Sequence, residues 1–486
     1  MKKYFVLLMS LFLLVGPGQP QQTSLAANPD VASNIQLLEM WIQSQMEYRG
    51  LPGLSIGIVH DQNLVWAKGY GCADMEKKTP ASVNSIYRIA SITKLFTTTA
   101  LMQLRDQGKL RLDDPVSKYL PWFAPKNKFT DAPPITIQHL ITHTSGLPRE
   151  SAFPYWTDAN FPTREEMINA LKNQETVFPS ETRWKYSNLA MALAGEVVMA
   201  VSGEPYDISI NKRVLEPLGM KDTSVYLTDD NKKRLVVGYS RKLSDGSRKI
   251  MPFTDSKGIT PAANISSTVE DLAKFVSLQF REEGKLGGNQ ILKGTTLKEM
   301  HRVHWLQPSW KSGWGLGFSI WRAGEKTMVG HDGWVGGYRT AIGFCPEQKI
   351  GVIVLTNADD GDPSFYLEQA YTIIAPAILK AAAPPSEPSK PDPSWKIYIG
   401  TYSDPWMFDS EIMIQDGKLV MFGHGYPPEI NPQNSLTELS PEGKNTFRMT
   451  GENGDGELVV FELGTDDRVK RVKVGENYIY PKEKGR

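Results

Sequence analysis

The sequence predicts an α+β protein, helices packed on an antiparallel sheet, followed by a small antiparallel β-barrel. Three observations carry that expectation. First, residues 31–49 set Ile35, Leu37, Leu38, Trp41, Ile42 and Met46 on an approximately helical repeat, and strand patterns at 53–59 and 64–69 follow across the turn-prone His60-Asp61-Gln62-Asn63. Second, residues 381–393 are an Ala- and Pro-rich run that cannot build a core and reads as a semi-rigid linker. Third, only strand signals lie beyond it: 410–415 and 418–422 flank the hairpin dipeptide Asp416-Gly417, and 457–463 and 469–474 flank a second turn.

At the N-terminus, Met1-Lys2-Lys3 is followed by 13 predominantly apolar residues from Tyr4 to Gly16, and Ser24-Leu25-Ala26 supplies small residues for cleavage. We read residues 1–26 as a secretory leader, which is short for a bilayer span and is stopped by Gly16-Pro17-Gly18. Export is therefore expected, with no integral membrane span once the leader is removed. Over 486 residues Lys+Arg and Asp+Glu both total 54, so no basic excess points to nucleic acid. The two cysteines, Cys72 and Cys345, exclude a disulfide framework and a cysteine-rich metal site; they read as free buried thiols.

Two serines compete for the role of nucleophile. Gly53-Leu54-Ser55-Ile56-Gly57 spells G-x-S-x-G, but that motif works on a sharp strand-to-helix turn, and Ser55 sits in a strand pattern that continues to another strand. Ser55 therefore reads as structural. Ser91-Ile92-Thr93-Lys94 opens a run that passes from a polar lead-in to apolar residues at helical spacing, which puts hydroxyl and ammonium on one helix face about a turn apart. A lysine partly desolvated at that separation can have its pKa lowered enough to activate the serine. Alone, S-x-x-K occurs by chance in chains of this length, so the reading needs partners. His139 and His143 share the spacing of a helical metal pair, yet no Glu lies between them and no third ligand is evident, and a structural role is expected. His301-x-x-His304 is the other pair on which a metalloprotease reading would rest.

The partners appear downstream. Lys185-Tyr186-Ser187-Asn188 precedes an apolar helix pattern, Thr142-His143-Thr144-Ser145-Gly146-Leu147 ends in a Gly/Pro stop, residues 261–275 start another helix, and His331-Asp332-Gly333 precedes strands at 338–344 and 349–357. Together with Ser91 and Lys94, these residues resemble the serine β-lactamase and penicillin-binding-protein superfamily over about residues 31–380. The nearest branch is the class C-like one of D-aminopeptidases, D-alanyl-D-alanine carboxypeptidases and esterases. That resemblance implies a five-stranded antiparallel sheet flanked by helices, with an all-helical region, as a catalytic domain over residues 27–380. Residues 394–486 resemble, more loosely, the lipocalin-like barrel carried by some family hydrolases, through which an oligomer is possible.

By motif position the resemblance implies that Ser91 attacks a carbonyl, Lys94 and Tyr186 act as the base pair, and Asn188 and His331 complete the catalytic set. Backbone N–H groups of Ser91 and Trp334 form the implied oxyanion hole, and Asp332 and Gly333 line the substrate. Physically, a Lys94 ammonium is expected to hold the Tyr186 phenol below its usual pKa, and the Asn188 amide to hold both Lys94 and a substrate carbonyl. His331 stands where the lysine of β-lactamases grips a carboxylate, which shifts the expectation from penicillins towards peptides or esters. The expected protein is a secreted serine hydrolase of small peptides, esters or β-lactam-like compounds, with no metal or organic cofactor. Alternatives are a β-lactamase and a non-catalytic penicillin-binding sensor.

Overall fold

The computed structural model describes residues 25–281, 290–383, 391–424, 435–451 and 454–482. The leader through Ser24 and most of the linker lie outside these residues. Contacts divide the chain into two compact units, Met1–Ala382 and Ala383–Arg486.

In the first unit the strands are β1 (Gly53–His60), β2 (Asn63–Asp74), β3 (Thr79–Pro80), β4 (Tyr87–Arg88), β5 (Ser266–Ser267), β6 (Trp305–Leu306), β7 (Ser312–Trp314), β8 (Ser319–Ala323), β9 (Lys326–Val335), β10 (Tyr338–Cys345) and β11 (Ile350–Thr356). Nine of them form one antiparallel sheet, in the order β3-β2-β1-β11-β10-β9-β8-β7-β6, while β4 and β5 pair separately. Nine strands replace the five that the resemblance implies. Long strands occupy the middle; β3, β6 and β7 have two or three residues each, too few for an alternating pattern to register.

Both faces of the sheet are covered. Leu54, Ile56 and Ile58 of β1 and Val352 and Val354 of β11 pack in one core with the helices Pro29–Arg49 and Pro363–Ala382. Val59, Ile342, Phe344, Ile353 and Leu355 belong to the other core, with Phe96 and Phe275 of the helices Thr93–Asp106 and Val269–Leu278. The first helix starts where Asn28 accepts the Asp30 N–H at 3.0 Å and stops at Gly50, whose φ of 60° is left-handed.

Among the described residues the second unit holds a closed eight-stranded barrel running from Gly400–Ser403 to Asn477–Pro481. Its Asp416-Gly417 turn has positive φ at both residues, 51° and 77°, matching the twist of the strands it joins. Tyr398, Tyr402, Phe447 and Phe461 anchor the barrel core. Cys72 is half-buried and Cys345 buried, both as free thiols. Among the described residues no helix is long and apolar enough to cross a membrane.

Candidate active site

Ser91 lies in a single 3₁₀ turn, Ala90–Ile92, that runs directly into the helix Thr93–Asp106. Ala90 holds a left-handed φ of 45°, a conformation an alanine adopts only at a cost of about 1–3 kcal/mol, and it does so fully buried. That bend turns the serine out of β4 and onto the helix start. One turn later Lys94 is buried, with Nζ 3.0 Å from Ser91 Oγ, 2.9 Å from Asn188 Oδ1 and 2.8 Å from the Ala262 carbonyl oxygen.

This coordination fixes the direction of the lysine lone pair. Asn188 Nδ2 donates to both carboxylate oxygens of Glu150, at 2.9 and 3.1 Å, so the face of the amide turned to Lys94 is its oxygen. Asn188 Oδ1 and the Ala262 carbonyl accept and never donate. A neutral Lys94 spends its two N–H bonds on them and presents its lone pair to the Ser91 hydroxyl. Burial lowers the Lys94 ammonium to about 7, even though the Glu150 carboxylate pulls the other way.

Tyr186 behaves otherwise than the sequence suggests. Burial pushes its phenol well above the usual range, and a hydrogen bond with Ser91 offsets only part of that. Lys94, close to neutral itself, is a poor stabiliser of a phenolate. The Tyr186 ring is enclosed by Lys94 and Arg149, each 4.9 Å from its centroid, and by His143 at 4.5 Å. Asn188 holds Lys94 as expected through Oδ1, and its Nδ2 is engaged by Glu150.

β9 forms the opposite wall. His331 stands 6.2 Å from Tyr186 between ring centroids, and burial lowers its imidazole to about 4, leaving it neutral near pH 7. Its Nδ1 bonds the Asp332 carbonyl oxygen, an obligate acceptor, so the neutral ring carries its proton there and Nε2 is the bare acceptor. At Gly333 a Cβ would meet the Ile89 carbonyl oxygen at 2.3 Å; only glycine lets the strand lie this close to the nucleophile turn. Asp332, expected to line the substrate, points to the other face by strand alternation, beside Ala341, Ser364, Leu367 and Glu368. Its carboxylate raises both His331 and Lys94 by charge.

The other sequence candidates have structural partners. Ser55 is buried in β1, with Oγ 2.9 Å from both the Ser82 carbonyl and the Tyr87 hydroxyl. His139 closes a capping box with Thr136, His143 Nδ1 accepts the Ser187 N–H at 3.2 Å, and His301 Nε2 lies 3.1 Å from Gln279 Oε1. Among the described residues no three His, Cys, Asp or Glu side chains are grouped to hold a metal ion.

The Beta-lactamase family profile matches residues 38–375. This chain belongs to the beta-lactamase family. Beta-lactamase-like protein 2 of Dictyostelium discoideum is 29% identical over 80% of this chain and 72% of its own length. Protein flp of Staphylococcus aureus is 28% identical over 66% of this chain, which spans 63% of it, less than two thirds. Among solved structures, the octameric penicillin-binding protein homologue from Pyrococcus abyssi is 28% identical with a TM-score of 0.62, over 92% of this chain and 100% of that one. A Yersinia pestis beta-lactamase/D-alanine carboxypeptidase (22% identical, TM-score 0.61, 71% of this chain and 99% of that one) and the hydrolase EstCE1 (24%, 0.60, 73% and 99%) share the fold.

Against that family background, two contributors to the site escape a sequence reading. Glu150 is a lone loop carboxylate two residues after Pro148, and the Ala262 contact is a backbone carbonyl. Only Glu150 left a signal, a charged residue beside the Gly146-Leu147-Pro148 stop.

Proposed function

We propose that this chain is a serine acyl hydrolase acting through a Ser91 acyl-enzyme on small esters or amides. The observation that carries the reading is the buried Lys94 Nζ, 3.0 Å from Ser91 Oγ and donating to Asn188 Oδ1 and the Ala262 carbonyl oxygen, so that the neutral amine would have its lone pair left for Ser91. Lys94 takes the Ser91 proton as Oγ attacks the carbonyl carbon, and the new oxyanion is held by the Ser91 and Trp334 backbone N–H groups. On collapse the protonated Tyr186 gives its proton to the leaving group and is refilled from the Lys94 ammonium. Water then attacks the acyl carbon with the same groups working in reverse, and Ser91 regains its proton.

A neutral His331 supplies no cation for a substrate carboxylate, which favours esters and aminoacyl amides, including D-amino-acid peptides, over penicillins. Turnover of p-nitrophenyl acetate, D- and L-aminoacyl anilides and a cephalosporin tests this, with phosphonate labelling located by peptide mass spectrometry. Efficient cephalosporin hydrolysis overturns the preference, and a phosphonate adduct away from Ser91 overturns the mechanism.

The leader pattern of residues 1–26 supports export, so the hydrolase acts outside the cytoplasm. Self-assembly through the barrel is supported by the octameric Pyrococcus abyssi homologue and by a turn built on Asp404 that leaves Trp406, Met407 and Phe408 exposed. Light scattering on the full chain and on Trp406→Ser tests it: a monomeric wild-type chain overturns it.

A further inference from the structure

The helix Ile137–Ile141 ends on Thr142, and the next residue, His143, takes a left-handed φ of 59° while fully buried. Glycine or asparagine ordinarily fills that place, because most side chains are strained there. What the histidine adds is a hold on Tyr186. Its carbonyl oxygen accepts the Lys185 N–H at 2.8 Å and its Nδ1 accepts the Ser187 N–H at 3.2 Å, so the residues on both sides of Tyr186 end on it. Its ring lies 4.5 Å from the phenol ring, 37° from parallel. The attachment continues along the same loop: Ser187 Oγ donates to the Pro148 carbonyl at 2.6 Å, and the Asn188 N–H to that of Arg149 at 2.8 Å.

Chemistry as well as position sets His143 apart from a space-filling residue. Nδ1 accepts a peptide proton, so the neutral ring carries its own proton on Nε2, and that N–H has no hydrogen-bond partner among the described residues. An unpaired buried N–H destabilises the fold, and a phenylalanine would fill the same space among Trp184, Tyr186 and Trp314 without one. The imidazole's hydrogen bonding is thus confined to the backbone beside Tyr186. Burial, reinforced by Lys94, His331 and Arg149, holds the ring well below the usual histidine range, so Nδ1 stays an acceptor. On the Ser91 mechanism proposed above, the Tyr186 phenol must serve the leaving group and Lys94 in turn, and misplacing such a group by about 1 Å costs about 10²-fold.

Given that mechanism, we infer that His143 is the positioning residue of the Tyr186 proton donor, holding the phenol through both flanking residues and through its own ring. p-Nitrophenyl, phenyl and trifluoroethyl acetates test this, because they form one acetyl-enzyme and differ in how far the leaving group needs a proton. kcat/KM, which reports acylation, is compared for the full chain, His143→Phe, His143→Asn and Tyr186→Phe. His143→Phe keeps a ring and loses the acceptor; it should lower kcat/KM for the trifluoroethyl ester about tenfold or more beyond its effect on the p-nitrophenyl ester. His143→Asn offers a side-chain oxygen to the Ser187 N–H and suits a left-handed backbone, so it should keep the wild-type leaving-group dependence. An equal loss on all three esters in His143→Phe, no loss at all, or a dependence in His143→Asn as steep as in His143→Phe overturns the inference. Phosphonate stoichiometry reports the native fraction of each variant, and His143→Gly, which also lacks the acceptor, carries the same test if the phenylalanine variant does not fold. Labelling away from Ser91, or a wild-type leaving-group dependence in Tyr186→Phe, sinks the mechanism itself. A steepened dependence in Tyr186→Phe beside an unchanged one in His143→Phe sinks the positioning role alone.

Discussion

Ser55 and Ser91 each sit in protein surroundings with a phenol and a second polar group for company, and the comparison isolates what makes a serine reactive. Ser55 Oγ lies between the Ser82 carbonyl and the Tyr87 hydroxyl, inside a strand paired on both edges. Its hydroxyl proton goes to a carbonyl oxygen that cannot carry it away. Ser91 Oγ lies between Tyr186 and Lys94, on a turn where backbone strain lifts it off the strand. What separates the two is a proton acceptor with a pKa near that of the medium, and the lysine becomes one through burial.

The largest effect that would break this contrast is loss of Ser91. Ser91→Ala should lower kcat by about four to six orders of magnitude and abolish phosphonate labelling, while Ser55→Ala labels as wild type. Next come the groups that move the proton. Lys94→Ala and Tyr186→Phe should each slow acylation about 10²- to 10⁴-fold in stopped-flow burst measurements, and the double variant should lose less than the sum of the two.

The pH profile sharpens the contrast further. Lys94 is active as the neutral amine, so acylation should rise with pH through about 7; His331, already neutral above about 4, does not set that limb. Glu150→Gln removes the charge that raises the Lys94 pKa and frees the Asn188 amide to flip. The midpoint should then move to lower pH while the plateau falls, by about 10²-fold if the lone pair leaves Ser91. A plateau unchanged from wild type would show that Glu150 does not aim the base.

The smallest effect belongs to Ser55. From sequence alone its replacement should cost about 1 kcal/mol or less. The structure raises that figure, because Ser55→Ala leaves the fully buried Tyr87 hydroxyl without its serine partner, at about 1–3 kcal/mol in chemical denaturation. Turnover should stay at the wild-type value.

The same pair shows what a sequence can disclose here. Ser91 and Lys94 are legible because a helix turns three residues of spacing into one shared face, and Tyr186, Asn188 and His331 because their motifs stand in a family order. The five-strand count comes with the family resemblance, and β3, β6 and β7 of the nine-stranded sheet, at two or three residues each, have no room for a periodic pattern that would add them. The Ala262 carbonyl is invisible because any residue supplies one. The Tyr186 phenol moves up and not down because a nearby cation is legible from spacing, whereas the burial that dominates is a property of the packed core. Motif membership places Asp332 on the substrate, whereas strand alternation on either side of it sends its side chain the other way.

Lys94 holds together pieces of chain that meet only in the finished fold: its own helix start, Asn188 and the Ala262 carbonyl. In an unfolded chain the same lysine is an ordinary solvated ammonium and Ser91 an ordinary alcohol. On the proposed mechanism the polypeptide is therefore chemically latent while unfolded, and the Ser91–Lys94 pair is armed only in the cooperative step that closes the core.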